Sequence, residues 1–373
     1  MTTPGTPGTP GPPGAPEVLA ATLGPLAKER KVVVCCGPGG VGKTTVSATF
    51  ALQAARQGRR ACVVTVDPAR RLADALGVES LPNTPAVVPG DWSGELYALM
   101  LDTKGTFDDL VRQYAKTEEQ AASIQANRLY QNLAGALSGT QEYMAMEKLY
   151  ELTDGGDYDV VVVDTPPTRN ALDLLDAPRR LTQFLENRLF RALLLPTRAG
   201  LRAVGVATRA VLRTISKVAG AEIVDDAVTF FQAFGGMEEG FRDRARAVRA
   251  LLADPATAYV LVTSPRPDAV EEAAFFAEKL AATGVVPAGL VVNRVQPRFG
   301  AEELVVPEAP TGSDLAAIVG NLADLDRVAD REAAAYDELV QRVAPAPVGR
   351  VPLLGTDVHD LDGLAAVADH LFG

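Results

Sequence analysis

A lysine, two threonines and two aspartates hold the spacings in this chain that could do chemistry. The lysine and threonines stand in Gly37-Pro38-Gly39-Gly40-Val41-Gly42-Lys43-Thr44-Thr45, which fits G-x-x-x-x-G-K-[ST]. Glycines let consecutive backbone N–H groups turn inward and form a concave anion site. A helix starting at Gly42 aims its partly positive N-terminus at the same place. The pattern points to the phosphates of a nucleoside triphosphate. Gly37, Gly39, Gly40, Val41 and Gly42 shape the loop, and Thr45 carries it into the helix. Lys43 adds a mobile cation for the β- and γ-phosphates, and Thr44 offers a hydroxyl to Mg²⁺. An apolar strand before the loop and a helix-forming run after it supply the setting the motif requires.

Binding alone needs only the loop, whereas hydrolysis needs more parts. Asp164 follows four valines and ends a buried strand, at the carboxyl edge where α/β sheets place ligands. It is the candidate to hold Mg²⁺ through a water. Asp67, in Asp67-Pro68-Ala69-Arg70, ends another strand and should reach the same edge, where it could orient an attacking water. Each aspartate could instead be a plain helix cap or turn residue. Thr165-Pro166-Pro167-Thr168 follows Asp164 directly, and its two prolines make it stiff enough to act as a lever on its flanks.

These residues must be positioned by strands and helices in alternation. Val32–Cys36, Arg60–Asp67, Glu95–Asp102, Tyr158–Asp164, Ala258–Thr263, Gly289–Asn293 and Val351–Leu354 read as strands. Helices are expected at Val18–Lys28, Val46–Gln57, Leu72–Leu76, Ala269–Thr283, Asp314–Val343 and Leu361–Leu371. The run of valines before Asp164 implies burial on both faces, hence a parallel sheet. The fold class is therefore α/β, a doubly wound, mostly parallel sheet. Long helical stretches at about 104–154 and 171–252 read as an inserted helical subdomain. Residues 1–16 are almost all Thr, Pro and Gly and read as a disordered tail ahead of a domain at 17–373.

Composition excludes several classes. A net charge of −11 argues against broad nucleic-acid binding, which needs a basic footprint. The three cysteines, Cys35, Cys36 and Cys62, fall in buried strands, and there is no C-x-x-C. With His359 and His370 isolated near the C-terminus, a Cys/His metal site is not expected. No apolar run reaches the length of a membrane span, and no signal-peptide pattern opens the chain, so a cytoplasmic location is expected, possible contact with a membrane periphery aside.

The three motifs together resemble those of the deviant Walker-A ATPases of the arsenical-pump (ArsA) family, which includes the ATPase that targets tail-anchored membrane proteins. The likeness runs from about Lys31 to the C-terminus. Val292-Asn293-Arg294 is similar to the family's strand-end Asn that contacts adenine, and Val351-Pro352-Leu353 to its loop over the base. The resemblance implies a P-loop sheet of the SIMIBI type, ATP and Mg²⁺ as ligands, and Asp67 as switch I base or water-positioner beside Lys43. It places Thr165, Pro166, Pro167 and Thr168 in switch II, and Asn293 and Pro352 at the base. It further implies a dimeric switch that opens and closes with hydrolysis and handles a protein, membrane or transport client. Three departures stand out. The family's signature Lys is Pro38 here, so either hydrolysis is slow, or another cation substitutes, with Arg70 and Arg169 as candidates that could equally be plain surface arginines, or a different subunit supplies the Lys in trans. The metalloid-binding cysteines of the arsenite pump have no counterpart, and the dimer-stapling C-x-x-C is missing. A homodimer, a heterodimer with an active relative in which this chain is a low-turnover regulatory subunit, and a partition or division-site ATPase all stay open. The long insertions count against the last.

Between Asn187 and Ala221 there is no acidic residue, and Arg202, Arg209, Arg213 and Lys217 share one helical face. That stripe is either an ordinary helix paired with acidic neighbours or a docking face for an anionic membrane surface, an acidic partner or an apolar client. Tyr143, Met144, Met146 and Tyr150 read as core, with a partner-binding Met surface as the alternative.

Overall fold

Alternation along the central strands decides how the molecule is layered. In a computed structural model of the chain, β1 (Val32–Cys36) and β4 (Val160–Asp164, numbered here among the long strands) lie side by side, and each of their residues is buried. Side chains of a strand point alternately to opposite faces. Val33, Cys35, Val160 and Val162 accordingly enter one apolar cluster, and Val32, Val34, Val161 and Val163 the other. The structure describes residues 22–67, 69–128, 130–131, 140–166, 233–300 and 314–373, together with 177, 179, 182, 183, 229 and 230. The tail at 1–16, the basic stripe at 187–221, Arg169, and Pro167 and Thr168 of the expected switch lie outside the described residues.

The remaining long strands are β2 (Arg60–Thr65), β3 (Glu95–Met100), β5 (Thr257–Thr263), β6 (Gly289–Val295) and β7 (Val348–Pro352). With a two-residue strand at Ala86–Val87 they make an eight-stranded sheet. Across it the order is Ala86–Val87, β3, β2, β4, β1, β5, β6, β7. Every pairing is parallel except that of Ala86–Val87 with β3. The doubly wound, mostly parallel sheet expected from the valine runs is thus present. The short antiparallel edge strand was not foreseen, because two residues carry no periodicity. β7 also begins three residues before the expected Val351, since Val348–Arg350 alternate too weakly to declare themselves.

One face is covered by α1 (Gly24–Glu29), α2 (Lys43–Arg56), α3 (Arg71–Ala75) and a C-terminal helix at Leu361–Phe372. The other carries α4 (Thr103–Tyr114), α5 (Glu118–Ala126), α6 (Thr140–Asp154), α7 (Glu238–Ala253), α8 (Pro267–Ala282) and α9 (Asp314–Val343). The first helical insertion therefore packs directly on the sheet. Tyr143, Met144 and Met146 are buried there, so the Met/Tyr cluster belongs to the core. The helix starts are locally encoded: the side chains of Asp102 and Thr117 accept from the backbone N–H groups of Lys104 and Gln120. Because β1, β2, β4 and β6 all run the same way, the ends of these strands gather along one edge, where the order reverses on either side of β1.

Candidate functional site

The loop after β1 is held open by backbone geometry that only glycine meets. Gly37 has φ 147° and Gly42 φ 93°. A Cβ on Gly37 would stand 2.0 Å from the carbonyl oxygen of Val262, and one on Gly42 would stand 2.2 Å from Asn293 Nδ2. The chain then enters α2 directly at Lys43, with Gly42 as the cap residue. Lys43 is 6% exposed, and its ammonium donates to the carbonyl oxygens of Gly37 (3.1 Å) and Pro38 (2.8 Å). Burial pulls its pKa down, and the opposing charge of Asp164 pushes it back up.

Behind the loop, the end of β4 presents Asp164, almost fully buried. Thr44 Oγ1 donates to its Oδ2 at 2.7 Å, and Thr65 Oγ1 to the same oxygen at 2.9 Å. Among the described residues Oδ1 is buried with no hydrogen-bond partner. Burial drives the carboxyl up to about 6, against the lowering effect of the two hydroxyls and Lys43. A buried carboxylate oxygen without a donor, next to a threonine hydroxyl on a phosphate loop, is the donor set a hard divalent cation takes. The residues therefore fit Mg²⁺. No group of three or more His, Cys, Asp or Glu side chains could hold a metal among the described residues.

Thr65 also accepts from the backbone N–H of Asp67 at 3.2 Å, which links the two aspartates. The Asp67 side chain turns back on its own loop, where Oδ1 accepts from Ala69 N–H at 3.0 Å and Oδ2 lies 3.6 Å from Arg71 Nη1. Thr165 donates to the carbonyl oxygen of Cys35 at 2.8 Å, so the start of the expected switch II is pinned to β1. Asn293, at the end of β6, donates from Nδ2 to the carbonyl oxygen of Val41 at 2.9 Å and ties that strand to the loop. A bulge follows in β6, and there Arg294 takes φ 62°, the one left-handed non-glycine among the described residues.

These groups surround a cavity of about 530 Å³. Gly40, Gly42, Lys43, Thr44 and Thr45 of the loop line it, together with Asp67, Thr165, Asn293 and Pro352. Gly37, Gly39 and Val41 belong to the loop without lining the cavity, Asp164 lies just beneath Thr44, and Pro166 follows Thr165. Val351, Leu353, Leu354 and Val358 add an apolar wall. Sequence reading missed Thr65, Arg71 and Arg294. Thr65 has a visible signal, a hydroxyl two positions before a strand-end aspartate. Of the two readings of Arg70, a substitute cation or a surface arginine, the second fits: its side chain donates to the carbonyl oxygen of Glu79 and does not line the cavity. The cysteines are all buried and free, with Cys35 and Cys62 pushed by burial up to about 12, so none is a thiolate at neutral pH.

Comparison with known proteins gives the same direction. A profile of the protein family described as anion-transporting ATPase matches residues 30–304. The chain is 32% identical over 342 residues to an uncharacterized protein of Streptomyces coelicolor, covering 91% of this chain and 75% of that one. It is 28% identical over 347 residues to the ATPase ARSA2 of Chlamydomonas reinhardtii, covering 92% of this chain and 84% of the alga's. With the ATPase asna-1 of Caenorhabditis elegans it shares 32% identity over 163 residues, 41% of this chain and less than half, 47%, of the worm protein.

Proposed function

The chain belongs to the anion-transporting ATPase family, and on that premise we propose that it is a magnesium-dependent ATP hydrolase working as a dimeric switch, in which ATP binding and hydrolysis drive the handling of a protein, membrane or transport client. The observation that carries the nucleotide reading is the Thr44–Asp164 pair at 2.7 Å beneath the glycine loop, with Asp164 Oδ1 buried and unpartnered.

In this reading the loop amides and Lys43 bind the β- and γ-phosphates, and the ammonium leaves the carbonyl oxygens of Gly37 and Pro38 to do so. Thr44 holds Mg²⁺ through its hydroxyl and Asp164 through a water. Bound there, the ion would neutralise phosphate charge and draw electron density from the phosphoryl oxygens. Asp67 orients the attacking water and receives its proton. Thr165 and Pro166, followed by Pro167 and Thr168, report the γ-phosphate to the helical insertion. The apolar wall around Pro352, together with Asn293, receives adenine. No helix among the described residues is long and apolar enough to cross a membrane.

Pro38 favours a second reading, a low-turnover regulatory subunit paired with an active relative. Phosphate release by the isolated protein separates the two. The switch reading expects Mg²⁺-dependent turnover that falls at least about 100-fold in Asp67→Asn with ATP binding retained. Tight binding without turnover until a relative is added would favour the regulatory subunit.

A further inference from the structure

We propose that Arg71 is a catalytic arginine of this site, the cation that meets the charge developing on the transferred phosphoryl group where Pro38 has removed the loop's own. The inference rests on the Mg·ATP reading of the cavity and names a residue that reading lacks.

Two observations define the need. Pro38 has neither a cation nor an N–H, and Lys43 is anchored low in the loop, its ammonium between the carbonyl oxygens of Gly37 and Pro38. Among the described residues the loop therefore brings one lysine to the triphosphate, where the chemistry uses two positive groups besides the metal. Among the described residues three arginines come into question to fill the gap. Arg70 is turned away to the carbonyl oxygen of Glu79. Arg294 also lines the cavity, but its Nη1 is engaged at 3.4 Å by the carbonyl oxygen of Gly40 and no contact joins it to Asp67 among the described residues. Arg71 lines the cavity and lies against Asp67, the residue proposed to hold the attacking water.

Its geometry suits transfer to a phosphate. Arg71 opens α3, directly after the Asp67 loop, so its reach is measured from the water-positioning carboxylate itself. The contact with Asp67 Oδ2 is long, 3.6 Å, and the Arg71 side chain is 63% exposed. Exposed pairs of this kind are weak, whereas a phosphoryl group offers a planar guanidinium two charged acceptors. Asp67 does not depend on Arg71 for its orientation, because its other oxygen accepts from Ala69 N–H at 3.0 Å. Arg71 can leave without releasing the carboxylate. In the step itself, the water oxygen bonds to the γ-phosphorus while the bond from phosphorus to the β–γ bridging oxygen breaks. The water proton passes to Asp67 and on to solvent, and ADP and phosphate leave. Arg71 donates two N–H groups to the γ-oxygens as their charge is redistributed, an interaction stronger in the transition state than before it.

The test is steady-state ATP hydrolysis by the full chain as wild type, Arg71→Ala, Arg71→Gln and Arg71→Lys, with Mg·ATP binding followed by calorimetry. The expected result is a fall in kcat of about 100- to 1,000-fold in both Arg71→Ala and Arg71→Gln, with KM changed by less than about threefold. Arg71→Lys should recover only part of the loss, since an ammonium cannot offer the bidentate fork. Millimolar guanidinium ion should raise turnover of Arg71→Ala and leave the wild type unchanged. Wild-type-like kcat in the Ala and Gln variants overturns the proposal. So does a loss confined to ATP affinity with no guanidinium rescue, or a wild type that binds Mg·ATP without turnover, since a site already holding its arginine lacks no cation. Failure of the wild type to bind Mg·ATP at all would instead remove the reading of the cavity itself.

Discussion

Burial lifts the Asp164 carboxyl from an ordinary 3.8 to about 6, because its charge is taken out of water with one oxygen left unmatched. That shift has a sign in stability. The unfolded chain releases this proton near 4 and the folded chain near 6, so between those values the folded form binds more protons. Folding stability from this group is therefore lost as pH rises through the window. At 1.36 kcal/mol per unit the loss amounts to about 3 kcal/mol. In metal-free protein, the unfolding free energy of the wild type should fall relative to Asp164→Asn by up to that amount between about pH 4 and pH 6.5, then run parallel above it. Denaturant titrations at a series of pH values in chelator check this, and parallel curves throughout would contradict it. Asp164 itself was legible in the sequence, since four valines and a terminal aspartate state both the strand and the edge. Arg71 was not. Neighbouring residues at a helix start are rotated by about 100°, so nothing in Arg70-Arg71 tells which guanidinium faces the cavity until α3 is placed.

Between elements, the site depends on a joint that sequence only half announced. The glycine loop is plain in its spacing, yet the structure shows it braced by β6, 252 residues further along the chain. Asn293 Nδ2 reaches the carbonyl oxygen of Val41, and Gly42 leaves room for that amide. Asn293 was expected at the base; the contact with the loop depends on parallel pairing that no local pattern encodes. A methyl at residue 42 must displace the amide and adopt φ 93°, both unfavourable for an L side chain. Gly42→Ala should therefore lower stability by about 1–3 kcal/mol and weaken nucleotide binding together. Thermal unfolding with and without Mg·ATP reads both, and an unchanged wild-type response would show the joint to be dispensable. A second joint connects the site to the helical insertion, where Gln141 Nε2 at the start of α6 donates to the carbonyl oxygen of Val66 at 3.0 Å. Farther along, Glu147 on α6 pairs with Arg244 on α7 in a part-buried setting. Movement of the Asp67 loop thus has a hydrogen-bonded path into both helices.

At the scale of the molecule, one sheet carries the described parts of the proposed machine at a single edge. The strands could be foretold because runs such as Val32–Cys36 are apolar on both faces, and the helical face with α4 to α9 because its apolar spacing is regular. What the sequence could not supply is which side chains converge, because convergence is fixed by strand order, with β2 and β1 flanking β4. Thr65 joining Asp164 to Asp67 is the clearest case. In the function proposed above, ATP fills the same edge and the helices follow the nucleotide.

All of this requires that Lys43 exchange two backbone carbonyls for a nucleotide's phosphates. Titration calorimetry of the wild type and Lys43→Ala with Mg·ATP measures that exchange directly. The account predicts stoichiometric binding by the wild type, and an affinity lower by about 10- to 100-fold in Lys43→Ala, the worth of one charged hydrogen-bonding group. Equal heats and equal affinities in the two proteins, or no heat in either, would contradict it.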